Sequence, residues 1–299
     1  MDLQVKGNLV ILTDKVALVT GAGRGIGEAV ALSLAKKGAN LVIASRTEAE
    51  LEHVASEVEK NGRQVEIVIA DVSEKNDVNH LIKKSLETYG QIDVLVNAAG
   101  VHGPIGPTWE VDVDDWIKAI QINLIGTFLC CHSVLPHMIQ RRKGKIINFS
   151  GGGATSPLPR FMAYGVSKTA VVRFTETIAE EVKEFNVHVN SIAPGAVDTK
   201  LQDDVIAAGD LAGESHDRIR EMRETGKGGV PRELAAELVA FLAAEKKGLT
   251  GKLIAAPYDG WENWDDDKID ELMSEQWFTL RRMDPFTLQP FVQYLKENE

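Results

Sequence analysis

Short apolar runs recur along this chain, each followed by a stretch of helical periodicity, and that alternation constrains the fold more than any other feature. The first run, 15–20 (KVALVT), ends in a glycine cluster, and others stand at 40–44, 64–70, 93–97, 145–149, 187–193 and 252–255. Runs this short and this uniformly apolar suit strands buried on both faces. Helical patterns fill the intervals at 28–37, 48–61, 75–89, 113–141, 162–183 and 232–244. Strands separated by helices pair in parallel, since a parallel connection needs a crossover. The expected class is therefore α/β, a single doubly wound parallel sheet with helices on both faces and ligands at the carboxyl ends of the strands. With 299 residues, 44% of them hydrophobic, the chain can bury such a core, and no low-complexity tract or linker divides it.

Between the first run and the first helix stands Gly21-Ala-Gly-Arg-Gly-Ile-Gly27. Strand, glycine turn and helix in that order make a Rossmann-type dinucleotide site: amides at the helix start face a pyrophosphate, and glycines permit its close approach. Gly21, Gly23, Arg24, Gly25, Ile26 and Gly27 are thus candidate cofactor contacts. An acid at the end of the second strand would bind ribose hydroxyls and repel a 2′-phosphate, but this chain has Ser45-Arg46 there, with Arg24 in the glycine turn. Two cations beside the ribose favour NADP(H) over NAD(H). The competing reading leaves Arg46 as a solvated residue at a helix start.

The pattern at 162–183, MAYGVSKTAVVRFTETIAEEVK, carries Tyr164 and Lys168 four residues apart, on one helical face. A tyrosine titrates near ~10, and a fixed cation beside it favours phenolate, so the pair is a plausible proton relay. Two surface residues can also fall at this spacing by chance.

A net charge of −11 argues against nucleic acid or an anionic membrane as the main partner. Cys130 and Cys131 are adjacent, which suits neither a disulfide between them nor a metal site, and buried thiols in a reducing compartment are expected. No apolar run looks long enough to cross a membrane and the N-terminus lacks a signal pattern, so the expectation is a soluble cytoplasmic protein without metal.

Taken together, Thr20-Gly-Ala-Gly-Arg-Gly-Ile-Gly27, Asp71-Val72, Asn97-Ala-Ala-Gly100, Asn123, Tyr164-x-x-x-Lys168 and Pro194-Gly-Ala-Val-Asp-Thr199 resemble the short-chain dehydrogenase/reductases, in their compact branch. The resemblance spans about 14–260 and implies hydride transfer between nicotinamide and a substrate carbon, interconverting a carbonyl and a secondary alcohol. It implies Tyr164 as general acid/base, Lys168 holding the nicotinamide ribose and lowering the tyrosine pKa, and Asn123 continuing the proton path through a water. Asp71 and Val72 would border the adenine, Asn97, Ala98, Ala99 and Gly100 would line the cofactor, and Pro194, Gly195, Val197 and Thr199 would meet the carboxamide. A small-molecule substrate and a homotetramer or homodimer, built on 113–141 and 162–183, are further implications.

One position departs from the pattern. The family's substrate-binding serine falls about thirteen residues before the tyrosine, and that count lands on Gly151. Ser150 stands one place away, and the run Gly151, Gly152, Gly153 is permissive enough to bring it round; Thr155 and Ser156 are other hydroxyls in reach. The gap also motivates an alternative function, a cofactor-binding sensor or structural subunit without catalysis. Glycine-bearing 200–229 is expected as a substrate lid or an ordinary helical excursion. Residues 1–260 then form the domain, and 261–299 is a C-terminal extension. Its Trp261, Trp264, Trp277, Phe278, Phe286, Phe291 and Tyr294 should be buried, either over an active-site entrance, with Arg281 and Arg282 presenting charge, or as a cap on exposed core.

Overall fold

The structure, a computed structural model, describes residues 11–275 and 277–282. Its strands are β1 (Val16–Thr20), β2 (Asn40–Ser45), β3 (Val65–Ile69), β4 (Val94–Asn97), β5 (Gly144–Phe149), β6 (Val187–Ala193) and β7 (Leu253–Ala255). All pair in parallel, in the order β3-β2-β1-β4-β5-β6-β7. The α-helices are α1 (Gly25–Lys36), α2 (Glu48–Lys60), α3 (Lys75–Tyr89), α4 (Val113–Ile120), α5 (Gly126–Arg141), α6 (Met162–Val182), α7 (Leu201–Ala208), α8 (Glu214–Thr225), α9 (Arg232–Ala244) and α10 (Asp266–Ser274).

Alternation along each strand sends side chains to two separate cores. Ala17 and Val19 of β1, with Leu41 and Ile43 of β2, pack under α1, α2 and α9. Leu18, Val42 and Leu95 pack on the opposite face against α3, α5 and α6. Helices on both faces explain why the strands read as apolar throughout rather than as alternating patterns. Between β1 and β4 the winding reverses, and there a crevice opens beyond the carboxyl ends of the strands.

The pattern at 113–141, expected as one helix, is two helices joined by a π turn, Gln121–Ile125, in which the Gly126 amide reaches back to the Gln121 carbonyl. Asp112 caps α4, its carboxylate accepting from the Asp115 amide at 2.9 Å. Within Val113–Arg141 an 18-residue window reaches a mean hydropathy of 1.4, long and apolar enough by those two measures to cross a membrane, which corrects the sequence reading. Cys130, Cys131, Val134 and Met138 nevertheless pack into the core against the sheet, as in a core helix. Both thiols are buried and unpaired; burial pushes Cys130 up to about 12, far from a reactive thiolate.

Residues 200–229 form α7, a 3₁₀ turn and α8, with Gly209, Gly213 and Gly226 in positive-φ conformations between and after them. Val205, Ala212, Ile219 and Met222 turn inward onto Phe161 and Tyr164 at the start of α6. Arg223 fixes the pair from outside, donating to Asp198 and to Asp203, each at 2.8 Å.

The described part of the extension lies elsewhere. Trp261 is fully buried against Phe241 of α9, ring centroids 5.6 Å apart, and Trp264 lies between Phe241, which it meets edge-on, and Phe278. The chain then runs beside β7, where the Leu253 amide donates to the Phe278 carbonyl at 2.7 Å, and reaches the far half of α6, where the Leu280 amide donates to Glu176 at 2.6 Å. Glu176 lies twelve residues beyond Tyr164 along the helix, roughly 18 Å at 1.5 Å per residue. Arg281 therefore stands by Glu176 and not at the cleft. Phe286, Phe291 and Tyr294 lie outside the described residues.

Candidate active site

A cleft of about 550 Å³ lies at the carboxyl ends of β1, β2 and β4. Its floor is the glycine turn. Gly21 has φ +66°, and a Cβ there would lie 2.7 Å from Ala99 Cα; at Gly27 a Cβ would lie 2.1 Å from the Gly21 carbonyl oxygen. Only glycine lets α1 start this close to the strand. The residue before α1, Arg24, makes no capping bond with its side chain, so the first-turn amides of Gly25, Ile26 and Gly27 have no capping partner and border the cleft. Uncapped amides over a glycine floor fit a pyrophosphate, and the cleft thus fits a dinucleotide.

Ser45, Arg46, Asp71, Val72, Ala98, Ala99, Gly100 and Thr199 line the same cleft. The two arginines are not bare cations, as the sequence suggested. Arg24 is paired with Glu50 at 2.8 Å and Arg46 stands 3.7 Å from Asp71, while both guanidinium side chains remain at least half exposed. Burial would raise the Asp71 pKa, but two hydrogen bonds from Ser73 and the Arg46 charge hold it below the usual range. Glu50, on α2 one turn past Arg46, was not singled out from the sequence, where it is one acid among several on a helix. Arg232 also went unnoticed; from α9 it reaches Glu28 at 2.9 Å and holds the start of α1.

Other expected contacts are placed behind the cleft wall. Asn97 points into the core, donating to Asn148 at 2.9 Å, so it braces β4 against β5 rather than facing the cleft. Pro194 and Val197 are buried, Gly195 is exposed beside Val230, and Asp198 and Thr199 are the part of that segment on the cleft.

Tyr164, Lys168 and Asn123 do not line this cleft themselves; Lys168 and Asn123 stand next to its wall at Gly100, and Tyr164 lies one helical turn from Lys168. A Cβ built on Gly100 would stand 3.3 Å from both Asn123 Oδ1 and Lys168 Nζ, so lysine and asparagine meet at the cofactor loop. The Asn123 amide accepts from the Val101 N–H at 2.9 Å and donates to the Val101 carbonyl at 2.8 Å and to Ser167 Oγ at 2.9 Å. Ser167 in turn donates to the Tyr164 carbonyl at 2.7 Å. Lys168 Nζ donates to the Phe149 carbonyl at 2.8 Å and lies 5.6 Å from the Tyr164 ring centre. Among the described residues the phenol has no hydrogen-bond partner.

The electrostatics depart from expectation. Desolvation pushes the Tyr164 phenol up to about 12 and brings the Lys168 ammonium down to about 8. Within the chain itself the lysine does not lower the tyrosine, because its ammonium is turned to a backbone carbonyl.

The glycine run does not bring Ser150 into the cleft. Ser150 is buried, its amide bonded to Ile192 and its hydroxyl donating to the Lys168 carbonyl at 3.3 Å, so it ties β5 to α6. Thr155 and Ser156 are exposed. Gly151 occupies the critical place: a Cβ there would lie 2.3 Å from Tyr164 Oη. The phenol fills the space in which a side chain would otherwise stand.

The family model for short chain dehydrogenases matches residues 15–209. An uncharacterized oxidoreductase of Staphylococcus saprophyticus is 40% identical over 197 residues, 66% of this chain and 84% of that protein. Among solved structures, NAD+-bound xylitol dehydrogenase superposes with a TM-score of 0.76 at 27% identity, covering 82% of this chain and 98% of that one. Levodione reductase gives a TM-score of 0.76 at 27% identity, over 84% and 98%.

Proposed function

The chain belongs to the short chain dehydrogenases, NAD(P)-dependent oxidoreductases, and from that premise we propose that it interconverts a carbonyl and a secondary alcohol with Tyr164 as general acid/base. What supports the assignment to particular residues is the meeting of Lys168 Nζ and Asn123 Oδ1 at Gly100, on the wall of the dinucleotide cleft, with Tyr164 one helical turn from the lysine. Bound nicotinamide supplies or accepts the hydride. Tyr164 gives its proton to the substrate oxygen in reduction and takes it back in oxidation. Lys168, within reach of a ribose at Gly100, keeps positive charge beside the phenol, and Asn123 holds the Val101 backbone while continuing the proton path. An intact trio weighs against a non-catalytic sensor.

The finer reading of the cofactor is NADP(H) over NAD(H). Arg24 and Arg46 support it, both at least half exposed on the adenosine side and paired, among the described residues, with Glu50 and Asp71, from which they can turn to a 2′-phosphate. Comparing dissociation constants for NADPH and NADH tests it, and tighter NADH binding would reject it. We read the location as cytoplasmic and the assembly as a homotetramer or homodimer, on the face where Ile117, Phe128 and Val166 are exposed; a monomer in light scattering would reject the assembly.

For the central reading, Tyr164→Phe should lower kcat/KM for carbonyl reduction at least about 100-fold with cofactor binding unchanged. A variant as active as the wild type would remove the proton donor from the scheme.

A further inference from the structure

The site has a polar group that the family reading does not use. His102 follows the cofactor loop directly, is 6% exposed, and its Nδ1 is buried without a hydrogen-bond partner. Its ring meets the Tyr164 ring edge-on, centres 5.0 Å apart, and the Phe161 ring likewise at 5.4 Å.

The backbone around it is fixed on both sides. Asn123 binds the N–H and carbonyl of Val101, and Gly103, at φ +72°, packs so tightly that a Cβ would lie 2.5 Å from Ala119. A rigid backbone that delivers an imidazole with an unpartnered, buried Nδ1 beside the Tyr164 phenol is hard to explain by packing alone, since buried polar groups are normally paired. Burial, with the Lys168 charge, brings this histidine down to about 4 against the opposing pull of a hydrogen bond to the Leu201 backbone, so the ring is neutral and carries one N–H and one lone pair. A neutral imidazole can donate to a carbonyl oxygen or accept from an alcohol, as a serine hydroxyl can.

Resting on the reading that Tyr164 is the acid/base, we propose that His102 replaces the absent serine as the substrate anchor: its Nδ1 hydrogen-bonds the reacting oxygen and holds it against the phenol. Gly151 contributes no hydroxyl, Ser150 faces α6, and Thr155 and Ser156 are exposed. Oxygen accepting from both groups would have to sit about 3 Å from each; the two rings meet edge-on with centres 5.0 Å apart. Apolar side chains cluster with Tyr164, among them Ile105, Leu158, Phe161 and Met222. That surrounding fits a ketone or secondary alcohol with apolar substituents, whose one polar atom is the oxygen that His102 and Tyr164 share.

The test uses the full chain with NADPH and NADH on cyclohexanone, acetophenone and 2,3-butanedione, carrying forward the fastest substrate. Asparagine places an amide near the Nδ1 position and glutamine near Nε2. His102→Phe should lower kcat/KM about 100-fold, as expected for losing one donor to a developing oxyanion, with unchanged melting temperature and NADPH affinity. His102→Asn should recover much of that loss and His102→Gln little. In a Gly151→Ser background, where the far end of Tyr164 must shift to admit the new side chain, His102→Phe should cost less. A His102→Phe enzyme within about twofold of the wild type, or Asn and Gln variants that behave alike, would overturn the anchor while leaving Tyr164 in place. No turnover on the panel, or Tyr164→Phe matching the wild type, would overturn the underlying reading instead.

Discussion

Desolvation sets the proton chemistry of Tyr164 and Lys168 before any ligand is considered. With the phenol near 12 and the ammonium near 8, the protein around neutral pH holds a protonated tyrosine beside a charged lysine, the state required for reduction. Reduction needs neutral phenol and charged lysine, so its rate should be flat below about pH 8 and fall above it. Oxidation needs phenolate, whose fraction grows about tenfold per pH unit below its pKa. Oxidation should therefore rise with pH and level off near 8, where the gain in phenolate is cancelled by loss of the lysine proton. Profiles of kcat/KM in both directions check this, and Lys168→Met should erase the break; a break that survives in that variant belongs to another group. The motif spacing made these residues legible in the sequence, but not the direction of their pKa shifts. Spacing says that two side chains share a face, whereas the Lys168 ammonium spends its hydrogen bond on Phe149 and both groups are dehydrated. Gly151 was legible as a gap, and its consequence was not, since only coordinates show the Tyr164 hydroxyl in the space a side chain would fill.

The elements followed the hydrophobic pattern closely wherever one period ran unbroken, as in α3, α9 and β6, whose bounds match the sequence reading. The pattern failed at 121–125 because a π turn keeps the same residues apolar and leaves no mark on composition. Two local contacts accompany it. Asn123 satisfies both backbone groups of Val101 across the cleft, and Gly126 lets the following helix close on Val72, where a Cβ would stand 2.8 Å away. Asn123→Ala removes three hydrogen bonds at a buried position and should lower stability by about 2 kcal/mol, read from denaturant midpoints without cofactor. A change under about 0.5 kcal/mol would mean that water replaces the amide and that the π turn is held by Gly126 alone.

At the scale of the molecule, the alternation of runs and helices implied parallel pairing, but the order of strands and the resting place of the extension depend on contacts between distant segments. Aromatic content led to the expectation that 261–299 is buried, without saying where; among the described residues Trp261 and Trp264 are buried and Trp277 and Phe278 half-buried. The described residues place it on α9 and along β7, where the Phe278 carbonyl accepts the Leu253 amide and covers a sheet edge that would otherwise be open. The described part of the extension thereby stands apart from the proposed acid/base, since it meets α6 roughly 18 Å from Tyr164. Trp261 tests that separation best. It is fully buried, its indole N–H donates to the Ala256 carbonyl at 3.0 Å, and its ring lies against Phe241. Trp261→Ala should cost about 3–5 kcal/mol, as large aromatic truncations in well-packed cores do, visible as a lower denaturant midpoint. KM for the carbonyl should stay unchanged in conditions where the variant is folded. If KM moves with no loss of stability, the extension acts on the site after all, and the aromatic cluster is part of the substrate machinery rather than a cap on the sheet edge.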